Sequence, residues 1–199
     1  ATSVSKGIGK MAWGVPAAAT IVLVVGRLTR LKGHLTLLDA VAAIGRGDVH
    51  VVAVGPFEPD NPYVAEVRAR AAALGLGDRL HLVGPESDMP AAYAAADMVA
   101  CPSRMEAFGR VSIEAQAMGR PVVVHRVGGL PETLLEGRTG WSVAPGDAAA
   151  FATALARALT VAAGDDPDFA RRARGFVGAR YTLAAIDRKS TRLNSSHYS

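Results

Sequence analysis

The chain has 199 residues, half of them hydrophobic, and a formal net charge of +4, which suffices for one well-packed core or at most two small ones. No stretch approaches the ~18 unbroken apolar residues of a membrane-spanning helix, and the small charge without interleaved aromatic and basic residues argues against nucleic-acid binding. The single cysteine, Cys101, excludes an internal disulfide, fits a reducing compartment and is expected to be a buried, inert thiol.

Short, nearly continuous apolar runs alternate with helical patterns along the chain. The predicted strands are residues 20–26, 48–55, 79–84, 97–102, 121–126 and 139–145. The predicted helices are residues 31–44, 63–76, 88–96, 109–119 and 148–162. Because strands buried on both faces are apolar throughout, this pattern predicts an α/β fold with a doubly wound, Rossmann-like parallel sheet. Ligands of such sheets bind beyond the carboxyl ends of the strands, so the residues after each strand are the candidates for function.

The loop after the first predicted strand, residues 26–34, combines a glycine with basic side chains. Gly26 permits a tight turn, Arg27 follows the strand, and Lys32 is expected at the start of the next helix. A helix N-terminus favours anions, and a guanidinium beside an ammonium would clamp a diphosphate. Plain solvated loop charges are the alternative, and position alone leaves both interpretations open.

Two glutamates follow the fourth predicted strand, one on each side of a Phe-Gly pair. Glu106 is expected in the loop and Glu114 on the second helical turn, with both carboxylates facing one cleft at different depths. They could be the acid and base of a glycosidase, which lie ~5–5.5 Å apart for retention and ~6.5–9.5 Å apart for inversion. A carboxylate can also accept both hydrogen bonds of a ribose diol. Ordinary solvent-facing charges are the third interpretation.

Glycines lie at the same predicted edge of the sheet. Gly128 and Gly129 follow the fifth strand, where the backbone could approach a ligand or form a plain turn, and Gly84 could border a flat base. Of the five histidines, only His125 lies at this edge, and their spacing matches no metal site.

Taken together, these segments resemble the donor-binding, C-terminal half of group 1 (family 4) retaining glycosyltransferases of the GT-B fold. The resemblance covers roughly residues 20–160, in the family's order. The matching residues are Gly26-Arg27, Lys32-Gly33, Val83-Gly84, Ala96-Asp97 through Pro102-Ser103, Glu106, Phe108-Gly109, Glu114 and Gly128 through Glu132.

The resemblance implies roles for these residues. Arg27 and Lys32 would hold the donor diphosphate and stabilise the leaving group, while Glu106 would contact the sugar hydroxyls and Glu114 the ribose. The implied catalytic residues are Arg27, Lys32 and Glu106, and the implied donor-binding residues are Gly26, Gly84, Ala107, Phe108, Gly109, Arg110, Glu114, Gly128 and Gly129. The substrate would be a nucleoside-diphosphate sugar, with no metal and no other cofactor. Many members have Gly in place of Ala107, whose methyl group is expected to narrow the sugar pocket.

The resemblance also implies the domain organisation. Residues 1–19 are expected to be a linker from a missing N-terminal domain that binds an acceptor glycan or lipid, and residues 20–186 the donor-binding domain. Residues 187–199 look like the translation of a sequencing-library adapter, so we interpret them as an artefact tail. The implied setting is bacterial polysaccharide or lipopolysaccharide synthesis, in the cytoplasm or peripheral to the inner membrane. This chain alone is expected to bind a sugar nucleotide weakly and to be inactive in transfer.

Three other functions remain open from the sequence. A sugar-nucleotide epimerase of the GT-B fold and a non-catalytic nucleotide-binding module would need the same groups. An NAD-type oxidoreductase is disfavoured. The Gly-x-Gly within residues 6–14 has the wrong spacing and no strand before it, and Asp39, the acidic residue after the first loop, falls inside the first predicted helix.

Overall fold

In the computed structural model, which describes residues 12–181, six parallel strands form one sheet in the order β3-β2-β1-β4-β5-β6. The strands are β1 (Thr20–Val25), β2 (Val49–Val54), β3 (Leu80–Gly84), β4 (Met98–Cys101), β5 (Val122–His125) and β6 (Gly140–Val143). The helices are α1 (His34–Ile44), α2 (Pro62–Ala73), α3 (Met89–Ala95), α4 (Arg110–Ala117), α5 (Ala148–Thr160) and α6 (Phe169–Tyr181). The predicted α/β fold with a doubly wound parallel sheet is confirmed.

The strands are apolar throughout because helices cover both faces of the sheet. In β1, Val22 and Val24 point into a cluster with α1, α2 and α5. Ile21 and Leu23 point into a second cluster, which contains residues from α3 and α4. Successive side chains of a strand alternate between faces, so a strand covered on both sides needs apolar residues at every position.

The order of the strands reverses between β1 and β4, which pair directly in parallel. The helix after β1 packs on one face of the sheet and the helix after β4 on the other, so the two connections diverge and open a crevice at the carboxyl edge. The two loops are nevertheless joined where they leave the sheet. The amide of Arg104 donates to the carbonyl oxygen of Leu31 at 2.8 Å.

The first helix begins later than predicted. Residues 30–32 form a separate 3-10 turn, and Gly33 has a φ of 72°, which ends that turn before α1 begins at His34. A Cβ atom at Gly33 would lie 2.0 Å from the carbonyl oxygen of Pro102, so this break lets the β1 loop pass against the β4 loop. The expectation that Lys32 starts the helix is therefore wrong, since Lys32 lies in the turn before it.

The last described helix, α6, is not among the predicted elements. The predicted tail and the first eleven residues of the predicted linker lie outside the described residues, and the domain boundaries stay predictions. Between residues 12 and 181, no helix combines the length and the apolar character that crossing a bilayer requires.

A buried histidine lies at the junction of the β1 loop and α1. His34 is only 3% exposed, and its ring meets that of Tyr63 edge-on, with the centroids 6.0 Å apart. Burial lowers the pKa of His34 from 6.5 to about 4, since the charged imidazolium loses its hydration.

We expect His34→Gln to flatten the dependence of stability on pH in mildly acidic solution. Since the pKa of His34 is lower in the folded than in the unfolded chain, the unfolded chain binds more protons between pH 6.5 and about 4. The free energy of unfolding of the wild type should therefore decrease as the pH is lowered from 6.5 to about 4. His34 should account for up to about 3 kcal/mol of this decrease. Urea unfolding at several pH values, compared between the two proteins, measures this difference. Parallel pH profiles would contradict the assignment.

Candidate functional site

An ion pair joins the two loops that diverge at the reversal point of the sheet. Nζ of Lys32, from the β1 loop, lies 2.8 Å from Oε2 of Glu106, from the β4 loop. The two side chains are only 26% and 22% exposed. Such a partly buried pair is screened less by solvent and salt than a surface pair. It places one cation and one anion, each predicted from the sequence, side by side at the carboxyl edge.

Gly26 provides the space in which Lys32 reaches Glu106. A Cβ atom at Gly26 would lie 2.9 Å from Cε of Lys32, so the lysine stem crosses over bare backbone. Gly55, which was not predicted to matter, has a similar function for the turn itself. A Cβ atom there would lie 2.1 Å from the carbonyl oxygen of Gly26.

Arg27 follows Gly26 directly and is exposed. Within residues 12–181 its side chain forms no hydrogen bond or ion pair, whereas the nearby Arg30 is paired with Glu66 and lies over the ring of Tyr63. Arg27 is therefore the basic group of this loop that is available to a ligand, while Arg30 is held by the second helix.

The ion pair lines a crevice of about 10 Å³, which Ser103 and Gly109 also border. This is about the space that one water molecule needs, so a larger ligand would lie over the pair rather than inside the crevice. Cys101 lies in the same wall, and burial raises its pKa to about 12. The neutral thiol that results at physiological pH matches the predicted inert cysteine.

The predicted glycine pair after β5 packs against the loop of Glu106. A Cβ atom at Gly128 would lie 1.7 Å from the carbonyl oxygen of Glu106, and one at Gly129 would lie 2.8 Å from that of Ala107. Both glycines thus allow close approach to the protein's own backbone, and the predicted approach to a ligand stays a prediction. His125 supports the same loop, with Nδ1 3.2 Å from the carbonyl oxygen of Ser103.

Gly109 is also needed for close packing. Its φ is 83°, and a Cβ atom would lie 2.8 Å from Cδ2 of Leu130 and 3.1 Å from Cγ2 of Thr133. Gly84 differs, because no atom lies within 4 Å of the position that its Cβ would occupy. Gly84 itself is buried at the end of β3, so this position has free space beside it without an exposed backbone.

Glu114 lies beside a different cavity from Glu106. This cavity, of about 150 Å³, is lined by Phe108, Arg110, Ile113, Glu114 and Tyr181. The two carboxylates thus border separate cavities, and Glu114 is held toward α3 by the hydroxyl of Tyr93. Glu106 is paired with Lys32, whereas Glu114 is bound by Tyr93 and Arg110. Whether one ligand reaches both carboxylates stays a prediction.

Two tyrosines at this site were not predicted from the sequence. The hydroxyl of Tyr93 donates to Oε2 of Glu114 at 2.8 Å. The hydroxyl of Tyr181 donates to the carbonyl oxygen of Glu132 at 2.7 Å, and its ring meets Phe108 edge-on. Tyr93 is the one large side chain in the alanine-rich run of residues 91–96, and this contrast could have marked it in the sequence. No comparable sequence feature marks Tyr181.

Comparison with known proteins identifies relatives of this chain by sequence. The family model described as glycosyl transferases group 1 matches residues 19–161. The D-inositol 3-phosphate glycosyltransferase of Corynebacterium glutamicum is 41% identical over 153 residues, covering 73% of this chain and 36% of the relative. The enzyme of the same name from Saccharomonospora viridis is 39% identical over 162 residues, covering 77% and 38%. The chain thus spans about a third of the length of these curated relatives.

Solved structures of other proteins superpose on nearly the whole chain. A glycosyltransferase from Rickettsia africae superposes with a TM-score of 0.86 at 29% identity, covering 97% of this chain and 52% of that one. HepE from Anabaena, solved in complex with UDP and glucose, superposes with a TM-score of 0.79 at 28% identity, covering 98% and 53%.

We expect Gly128→Ala to be more destabilising than Gly137→Ala. Both glycines have positive φ, 51° and 68°, but a Cβ at Gly137 would meet nothing within 4 Å. The left-handed backbone alone should cost about 1–2 kcal/mol in each variant, and the clash with the Glu106 loop should add about 1–3 kcal/mol in Gly128→Ala. Guanidinium unfolding of both variants measures the difference. Equal losses would show that Gly128 does not support the loop.

Proposed function

Since the chain belongs to the group 1 glycosyl transferases, we propose that it is the part of such an enzyme that binds a nucleoside-diphosphate sugar. The observation that supports this best is the Lys32–Glu106 ion pair at the reversal point of the sheet, with the exposed Arg27 on the same loop as Lys32. Doubly wound sheets bind their ligands at this point. A cation pair on one loop and a carboxylate on the facing loop suit a ligand with a diphosphate at one end and hydroxyls at the other.

The donor diphosphate would take the place of Glu106 as the partner of Lys32. In this structure the ammonium is neutralised by Glu106, while Arg27 is not paired within the described residues. A bound diphosphate would attract both cations, and as the bond to the sugar breaks, the growing negative charge on the leaving diphosphate would be stabilised by them. We propose that these two cations neutralise the diphosphate without a metal ion.

Glu106, once released by Lys32, would accept hydrogen bonds from hydroxyls of the transferred sugar. The backbone N–H groups that follow Glu106, from Ala107 to Gly109 in the loop and Arg110 at the start of α4, would provide further donors, since the first N–H groups of a helix lack partners within it. Phe108 and Gly109 would thus contribute main-chain atoms, and the methyl group of Ala107 would limit the size of the sugar.

The nucleoside would lie between Gly84 and Glu114. Support for this comes from the free space at the Cβ position of Gly84 and from the partly exposed carboxylate of Glu114, which can accept from a ribose diol. Gly128 and Gly129 would act by holding the Glu106 loop, and Gly26 by leaving room for Lys32.

The complete reaction that we propose is transfer of the sugar to a glycan or lipid acceptor with retention of configuration. Acceptor binding is assigned to a further domain, since the chain spans about a third of the curated relatives' length. The proposed setting, bacterial polysaccharide or lipopolysaccharide synthesis in the cytoplasm or at the inner membrane, rests on the sequence resemblance alone.

We expect Arg27→Ala to weaken binding of a nucleoside diphosphate by about tenfold to a hundredfold, because a charge-assisted hydrogen bond is lost. Calorimetry with UDP, GDP, ADP and NAD measures this on the wild type and the variant. The matched control is Arg68→Ala, which removes another exposed guanidinium from the middle of α2. Tighter binding of NAD than of any nucleoside diphosphate, or equal effects of the two substitutions, would contradict the proposal.

Glu106→Gln should remove the difference in affinity between a nucleoside diphosphate and its sugar-carrying donor. A nucleoside diphosphate without sugar should bind tighter by a factor of about five, since binding no longer requires the ion pair between Lys32 and Glu106 to be broken. The corresponding glucose donor should lose its advantage over the diphosphate, since its hydroxyls lose a charged acceptor. Calorimetry with both ligands on both proteins measures the two changes. Weaker binding of the free diphosphate to Glu106→Gln would rule out the exchange of partners at Lys32.

A further inference from the structure

Tyr93 connects two helices through the carboxylate that we assign to the ribose. It lies in α3, is only 2% exposed, and donates its hydroxyl to Oε2 of Glu114 in α4 at 2.8 Å. Its ring belongs to the cluster that also holds Ala95 and Ala115. A packed aromatic ring has few rotamers, so the hydroxyl is fixed in space before any ligand binds.

The two oxygens of Glu114 are held by very different donors. Oε2 accepts from the buried Tyr93, whereas Oε1 accepts from Nη2 of Arg110 at 3.3 Å. The Arg110 side chain is 81% exposed and that of Glu114 is 38% exposed, so this second contact is a weak, solvated ion pair. A ligand hydroxyl can displace the exposed Arg110 from Oε1. It cannot displace the hydroxyl of Tyr93 from Oε2, because the buried tyrosine ring is held by its packing.

The phenol keeps its proton throughout the physiological range. Burial raises the pKa of Tyr93, and the hydrogen bond to Glu114 raises it further. Tyr93 is therefore always the donor and Glu114 always the acceptor. One lone pair of Oε2 is therefore occupied by the phenol, which limits the orientations that the carboxylate can adopt.

We propose that Tyr93 is a positioning residue, which orients the Glu114 carboxylate to accept hydrogen bonds from both ribose hydroxyls of the donor nucleotide. The inference rests on the proposed function. Without the phenol, the glutamate would rotate freely and follow Arg110 into solvent, and ordering it again would weaken ribose binding. Tyr93 thereby contributes to the preference for a ribonucleotide over an analogue that lacks the hydroxyls.

The test compares a ribonucleotide with its 2′,3′-dideoxy analogue, using whichever of UDP, GDP and ADP the wild-type chain binds best. Both ligands are titrated into the wild type, Tyr93→Phe, Glu114→Gln and Tyr63→Phe. Tyr63 is the control, because it is a similarly buried tyrosine in the cluster on the other face of the sheet. We expect Tyr93→Phe to reduce the ribonucleotide preference by about threefold to tenfold without changing the affinity for the dideoxy analogue. Tyr63→Phe should keep the wild-type preference and Glu114→Gln should abolish it.

Each other outcome has a distinct meaning. If Tyr93→Phe keeps the full preference while Glu114→Gln loses it, Tyr93 does not position the carboxylate and the inference is overturned, but the proposed function stands. If Tyr93→Phe weakens both ligands equally, its hydroxyl serves the fold alone, and the inference is likewise overturned. If Glu114→Gln keeps the preference, the ribose role of Glu114 fails and the inference with it. If the wild type binds none of the three nucleotides, the proposed function itself fails.

Discussion

The site depends on one contact between opposite charges, that of Lys32 with Glu106 across the point where the strand order reverses. The two residues are 74 positions apart in the chain and belong to loops that leave the sheet toward opposite faces. Their meeting requires close backbone approach on both sides of the crevice. Gly33 allows this against Pro102, and Gly128 allows it against Glu106 itself. Replacing a hydrogen by a methyl group at either glycine would move one member of the pair.

The same contact explains how Lys32 can be partly buried next to a crevice of only about 10 Å³ when no ligand is bound. An unpaired lysine in a partly buried position would lose hydration without compensation, and Glu106 supplies that compensation. A diphosphate carries more negative charge than one carboxylate. Arg27, on the same loop as Lys32, provides a second cation for it. We therefore propose that the ion pair holds both groups near the positions in which they act, and that ligand binding exchanges partners rather than assembling the site anew.

The sequence allowed the sheet and the basic loop to be predicted because both follow from local pattern. Strands covered on two faces are apolar at every position, and parallel strands bring their following loops to one edge, so Arg27, Lys32 and Glu106 could be grouped without coordinates. The start of α1 was predicted too early because the apolar period runs through Gly33, whose positive φ of 72° separates the 3-10 turn from the helix. Which oxygen Lys32 contacts, which cavity Glu114 faces and the bond from Tyr93 depend on side-chain rotamers and helix packing between distant segments, and local pattern contains no information on these.

The most direct test of the central claim is a crystal structure of this chain with the nucleoside diphosphate that it binds best. We predict that Nζ of Lys32 leaves Glu106 and lies within hydrogen-bonding distance of a phosphate oxygen, with the Arg27 guanidinium on the same diphosphate. A diphosphate bound elsewhere, with the 2.8 Å contact between Lys32 and Glu106 unchanged, would contradict the account.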